Sequence, residues 1–194
     1  MQTQKHISIY ILCGGKSSRM QTEKGLIVFK DKPFIEWILE AVKPISNRIY
    51  LITENTDYSI YNYPLLADIY KNKGPVGGIY TALKHTETQQ NLILSCDIPM
   101  ISTHILKRYL IQSKVINSNI AFVSDSTRDY PLIGMYSVNN LQKFEDAIRQ
   151  DHLKLMSLIQ ASTYHRIQVA SRDFDALYNI NTKDELRTLI QSRP

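Results

Sequence analysis

Along the chain, short stretches that are apolar at nearly every position alternate with longer stretches in which apolar residues return every three or four positions. The first kind marks strands covered on both faces, the second amphipathic helices. ISIYIL, Ile7 to Leu12, is the first predicted strand, followed by RIYLIT, by YPLLAD ending at Asp68, and by NLILSCD ending at Asp97. Between them, PFIEWILEAV places Phe34, Ile38 and Val42 one turn apart behind Pro33, and GGIYTALKHT opens a second helix on glycines. STHILKRYLIQSK predicts a third helix with Ile105, Leu106, Tyr109 and Leu110 facing inward. IAFVSD, YPLIGMYSV and YHRIQV read as later strands, with NLQKFEDAIRQ and LKLMSLIQA helical in period. TKDELRTLIQ is a last helix, capped by Thr182 with Glu185 three residues on, the capping-box spacing. Such alternation predicts an α/β fold in three layers, with helices on both faces of a mainly parallel central sheet.

Composition narrows the class. The chain has 194 residues, enough for one sizeable core and short for two, so a single domain over 1–194 is expected. No apolar run is long enough to cross a bilayer. The N-terminal apolar stretch is too short for a signal-peptide core, and a cytoplasmic location is expected. Cys13 and Cys96, the only two cysteines, each end an apolar run and read as buried small residues, not as a disulfide. The formal charge of +5 favours anionic ligands. It is spread along the chain without a basic block, which argues against nucleic acid and fits a small phosphorylated substrate.

In open sheets of this class, ligands collect beyond the carboxyl ends of the strands, so the loops after Leu12, Thr53, Asp68 and Asp97 are expected to meet at one crevice. The first loop, LCGGKSSRMQTEKG, carries Gly14 and Gly15, whose backbone can approach a ligand closely, with Arg19 and Lys24 as cations for phosphate. Its spacing fits neither the phosphate loop of ATPases nor the dinucleotide fingerprint. Asp97, with Pro99 behind it, is a hard oxygen ligand suited to Mg²⁺, or else a turn residue. Gly74, Pro75, Gly77 and Gly78 give a small-residue start to a helix, suited to an anion or a flat base, or to close packing on the sheet. Asn179 and Asn181 alternate along an extended segment and so share a face.

Taken in order, LCGGKSSRMQTEKG, GPVGGI, CDIPM and NINTKDEL resemble the motifs of the small nucleotidyltransferases, and most closely the MobA family of molybdenum cofactor guanylyltransferases. The resemblance runs from Ile7 to Leu186. It implies a Rossmann-like nucleotidyltransferase fold, with a nucleotide-binding part over about 1–100 and an acceptor-binding part over about 101–194. It further implies transfer of GMP from GTP to molybdopterin with Mg²⁺ as cofactor, and transient contact with molybdenum-insertion or molybdoenzyme proteins. By the same resemblance, Leu12, Cys13 and Gly14 hold the guanine and ribose through the backbone with Gly15 beside them in the nucleotide site, Arg19 and Lys24 bind the triphosphate, Asp68 and the Gly74–Pro75 turn contact the nucleotide, and Asp97 ligates the metal. Asn179 and Asn181 fall on the pterin or metal side, and Arg128 or Lys154 meets the pterin phosphate. Cys13 stands where the family has alanine and Gln21 where it has glycine. A CTP-dependent enzyme of the same fold, or a non-catalytic nucleotide-binding regulator, are the alternatives.

Overall fold

A computed structural model describes residues 7–14, 23–111 and 118–192. The chain begins with β1 (Ile7–Leu12), the short hairpin β2 (Val28–Phe29) and β3 (Lys32–Pro33), and α1 (Phe34–Val42). β4 (Ile49–Ile52), β5 (Leu65–Leu66), α2 (Gly74–His85) and β6 (Gln90–Ser95) follow. The second half holds α3 (Thr103–Leu106), β7 (Ile120–Ser124), β8 (Asp129–Ser137), α4 (Leu141–Arg149), α5 (Leu155–Gln160), β9 (Tyr164–Gln168) and α6 (Lys183–Ser192). Seven strands form one sheet in the order β5-β4-β1-β6-β8-β7-β9. Only β8 runs against its neighbours β6 and β7.

Alternation along β1 shows why the sheet is covered on both sides. Ile7, Ile9 and Ile11 point into a core with Ile35, Ile38 and Leu39 of α1 and with Ile105 and Leu106 of α3. Tyr10 and Leu12 point the other way, to Val76, Ile79 and Leu83 of α2, Phe144 and Ile148 of α4, and Ile159 of α5. The three-layer α/β/α architecture expected from the strand and helix rhythm is therefore the observed one. At the C-terminus, the Thr182 hydroxyl accepts from Glu185 N at 3.1 Å, while the Glu185 carboxylate accepts from Thr182 N at 3.0 Å, which is the expected capping box.

Some boundaries differ from the pattern. β5 is an edge strand of two residues, Leu65–Leu66, so Asp68 lies beyond it and not at its end. Pro64 has no N–H for a ladder, though its carbonyl still accepts from Leu51 N at 3.0 Å. β6 stops at Ser95, which leaves Asp97 in a turn past the strand. α2 starts at Gly74, ahead of the expected Gly77, because Pro75 fits the first helical turn, where no N–H is needed. The third helix is α-helical only to Leu106 and continues as a π-turn over Lys107–Ile111, with Tyr109 and Leu110 buried as expected.

Candidate functional site

Parallel β1, β4 and β6 all point their carboxyl ends at one edge of the sheet. There Leu12, Gly14, Ile52, Ser95, Asp97 and the start of α2 enclose a cavity of about 260 Å³, which also receives Lys24 and Asp68. Lys24 reaches it because the short 3-10 turn Lys24–Leu26 is anchored at the buried Gly25. A Cβ on Gly25 would lie 2.5 Å from the Tyr58 hydroxyl oxygen and 3.3 Å from Cys96 Cβ, so only glycine lets the turn sit this deep. The glycines of the GPVGGI stretch divide their work. Gly74 has φ +55 and lines the cavity with Pro75. A Cβ on Gly78 would come within 3.0 Å of Leu12 Cδ2, so Gly78 brings α2 close to the sheet.

At the floor, the Lys24 ammonium donates to Asp97 Oδ2 at 3.0 Å and to Asn181 Oδ1 at 2.6 Å. Asn179 Nδ2 donates to Asp97 Oδ1 at 2.9 Å, and Ile180 N to the Asp97 carbonyl at 2.9 Å. The C-terminal segment is thus stitched to the end of β6, and both asparagines point to the same side, as their alternate spacing requires. Asp97 is 8% exposed, so its charge is held by a cation and an amide and not by bulk water. Asn179 Oδ1 is buried without a hydrogen-bond partner among the described residues. Asp68 lines the same cavity. Burial raises its carboxyl above the ordinary carboxylate value, the Thr81 hydroxyl at 3.5 Å draws it partly back, and Glu54 adds to the rise.

A second cavity, of about 270 Å³, adjoins the first and shares Ser95 and Leu132 with it. Its other walls are Arg128 to Pro131, Ile133, Tyr178, Asn179 and Asn181. Two devices shape it. In β8, Phe122 pairs with Gly134 and Val123 with Tyr130, so Pro131 to Ile133 bulge out of the ladder with β7. A Cβ on Gly134 would lie 2.8 Å from the Ala121 carbonyl, which makes glycine a condition of the bulge. In the turn from β7 to β8, Asp125 Oδ1 accepts from Thr127 N at 2.6 Å and Arg128 N at 2.7 Å, while Oδ2 accepts from the Tyr130 hydroxyl at 2.6 Å. The Tyr130 bond is foremost in lowering the Asp125 carboxyl to about 2. Sequence pattern missed Ser95, Asp125 and Leu132, although an Asp two and three residues before Thr127 and Arg128 is the signal of such a turn.

Of the expected nucleotide residues, Leu12, Gly14, Lys24, Asp68, Gly74, Pro75 and Asp97 line the first cavity. Asn179, Asn181 and Arg128 line the second. Cys13 lines neither: its side chain packs toward α1 and its N–H donates to the Ile52 carbonyl at 3.0 Å. Burial raises the Cys13 thiol, and Cys96 beside it adds to the rise. Lys154 is exposed at the start of α5 and lines neither cavity. Gly15, Arg19 and Gln21 lie outside the described residues.

This chain is similar to named proteins over nearly its whole length. A relative in Flavobacterium johnsoniae, named "Probable molybdenum cofactor guanylyltransferase", is 45% identical over 94% of this chain and 96% of its own. One in Vibrio parahaemolyticus, named "Molybdenum cofactor guanylyltransferase", is 31% identical over 91% of each chain. A crystal structure titled molybdopterin-guanine dinucleotide biosynthesis protein A, from Archaeoglobus fulgidus, superposes with a TM-score of 0.82 at 21% identity, covering 95% of this chain and 97% of that one, which shows a shared fold. The family model described as MobA-like NTP transferase domain matches residues 9–167. With that match and the 45% relative, the chain belongs to the MobA-like NTP transferase family.

Proposed function

We propose that this chain transfers GMP from GTP to the terminal phosphate of molybdopterin, giving molybdopterin guanine dinucleotide and pyrophosphate. The observation that carries the reading is the pair of adjoining cavities with the Lys24, Asp97 and Asn181 cluster at their floor. A transferase that joins two phosphorylated substrates needs two sites that open onto each other, with charge where they meet. The walls support a division near residue 100: apart from Leu132, the first cavity is built by residues up to Asp97, and apart from Ser95, the second by residues 128–181.

In this reading the acceptor phosphate oxygen attacks the α-phosphorus, the bond from that phosphorus to the bridging oxygen breaks, and pyrophosphate leaves with the electron pair. The attacking phosphate is already ionised near neutral pH, so the protein supplies orientation and charge, not a base. Lys24 turns from Asp97 toward the triphosphate and neutralises charge on the departing pyrophosphate, joined by Arg19 from the opening loop. Asp68, Gly74 and Pro75 border the nucleoside end. Asp97 and Asn179 Oδ1 offer hard oxygens that fit Mg²⁺, which takes one or two protein carboxylates and completes its shell with substrate phosphates and water. When bound, Mg²⁺ supplies further neutralisation of the triphosphate. Arg128, exposed in the second cavity, receives the pterin phosphate. Two unpaired buried cysteines suit a reducing cytosol, the compartment assigned in this reading. Contacts with molybdenum-insertion proteins or molybdoenzymes belong to the same reading.

The test is titration with GTP, CTP, UTP and ATP in the presence of Mg²⁺, followed by pyrophosphate release on adding molybdopterin. Preferential GTP binding with acceptor-dependent release is expected. A preference for CTP, or binding without release, overturns the assignment.

A further inference from the structure

Ser95 is the last residue of β6, the central strand, and lines both cavities. Alternation along β6 turns Leu94 and Cys96 toward α1 and Ile93 toward α2, so Ser95 faces the α2 side. Its strand neighbours there are apolar: Leu12 of β1 pairs with it directly, and Leu132 comes from the bulge of β8. The residue is 6% exposed, and its hydroxyl has no hydrogen-bond partner among the described residues. A buried hydroxyl without a partner is a net cost to the free protein, unlike the backbone of the same strand end, where Cys96 N donates to the Leu12 carbonyl at 3.2 Å. An alanine would fill this place among leucines at less cost.

Building on the proposed transfer, we infer that the Ser95 hydroxyl is a binding group for the α-phosphate of the nucleotide, donating to a non-bridging oxygen where the two cavities join. The transferred phosphorus must sit within reach of both substrates, and among the described residues Ser95 is the one polar side chain that walls both cavities. A rotation of one staggered step about χ1 carries a serine oxygen from a strand's wall toward the space in front of it, and a hydroxyl suits this contact because its proton turns freely to an anionic oxygen. Asp97, which accepts from the Lys24 ammonium, lies two residues along the chain.

The experiment compares the wild-type chain with Ser95→Ala and Ser95→Cys, measuring affinity for GTP and for GMP by calorimetry with Mg²⁺ present, and thermal melting without nucleotide. A hydrogen bond to a charged oxygen corresponds to roughly a tenfold change in affinity, so both variants should bind GTP and GMP about tenfold more weakly. The free S95A protein should melt at the wild-type temperature or above it, because no described residue loses a partner. Cysteine keeps the volume but donates weakly, so a Ser95→Cys variant that binds like wild type would assign the effect to packing and overturn the inference. Affinities of both variants within about twofold of wild type would also overturn it, as would a loss confined to GTP, which would move the contact to the outer phosphates. Every nucleoside triphosphate carries an α-phosphate, so a preference for CTP sinks the proposed guanylyl transfer while the same comparison, run with CTP and CMP, still decides the role of Ser95. Failure of the wild-type chain to bind any nucleotide overturns both.

Discussion

The two cavities that share Ser95 and Leu132 are built by different means. Walls of the first come from the ends of β1, β4 and β6 and from the start of α2, fixed by glycines that a Cβ would push apart: Gly25 against Tyr58 and Cys96, and Gly78 against Leu12. Walls of the second come from a hairpin turn, a three-residue bulge and the extended Tyr178 to Asn181 segment, held by side-chain hydrogen bonds of Asp125 and by Asn179 on Asp97. A packed frame suits a ligand whose phosphates and sugar vary little. A hydrogen-bonded rim is easier to reshape, which suits the acceptor that the proposed function assigns to the second side. The contrast yields ordered consequences.

Asp97 lines the first cavity and accepts from Asn179 of the second, and its loss has the largest expected effect. Asp97→Ala should lower turnover by about three orders of magnitude, from charge and orientation lost at the reacting groups, with the fold retained by circular dichroism. Pyrophosphate release near the wild-type rate would break the account of the shared floor.

Gly25→Ala probes the packed half alone. Its Cβ would meet the Tyr58 hydroxyl oxygen at 2.5 Å and Tyr58 Cε1 at 3.1 Å, and Tyr58 is fully buried with no room to yield. Overpacking of this kind costs about 1–3 kcal/mol, so the melting temperature should fall and GTP affinity with it as Lys24 is displaced. Unchanged melting and unchanged affinity would mean that the first cavity is not rigid.

Asp125→Ala probes the other half. It removes acceptors for Thr127 N, Arg128 N and the Tyr130 hydroxyl, and so loosens the turn that carries Arg128. KM for molybdopterin should rise several-fold, about what one or two modest hydrogen bonds account for, while GTP affinity stays put. An equal loss on both substrates would erase the distinction between the halves.

The smallest effect is a pH dependence. Burial raises the Asp68 carboxyl above its ordinary value, so this group is protonated over a range where an exposed aspartate is already charged. Stability from Asp68 is fully present below its unfolded value and is lost as pH rises through the folded one, the opposite of a salt-bridged aspartate. Nucleotide affinity that depends on the charged form should therefore weaken on acidification sooner than an ordinary aspartate would cause, and Asp68→Asn should flatten that limb when affinity is followed by titration from neutral to mildly acidic pH. An unchanged acid limb in Asp68→Asn would remove Asp68 from nucleotide binding.

Legibility in the sequence followed the same division. β1, β4 and β6 are nearly continuous apolar runs, and the residues just past them had to gather at one edge once the sheet was parallel, so Leu12, Gly14, Lys24, Asp68, Gly74, Pro75 and Asp97 reached one cavity. Asn179 and Asn181 were readable from their alternation. The burial of Cys13 was readable from its place at the end of an apolar run, but not that its side chain faces α1 and away from the cavity, because strand parity decides which side chain faces the site and parity flips with one residue. Ser95 and Leu132 carry no local motif. Their role comes from register across β1, β6 and β8, a pairing between residues far apart in the chain. Lys154 shows the converse: expected to meet the pterin phosphate, it sits at the exposed start of α5 and lines neither cavity.

The central claim, that the first cavity carries GTP and the second a pterin phosphate, is tested most directly by incubating the protein with molybdopterin, Mg²⁺ and each nucleoside triphosphate in turn and weighing the product. The account predicts molybdopterin guanine dinucleotide from GTP, with one pyrophosphate released per product. A cytosine dinucleotide from CTP in its place, or unchanged molybdopterin with all four nucleotides, would contradict it.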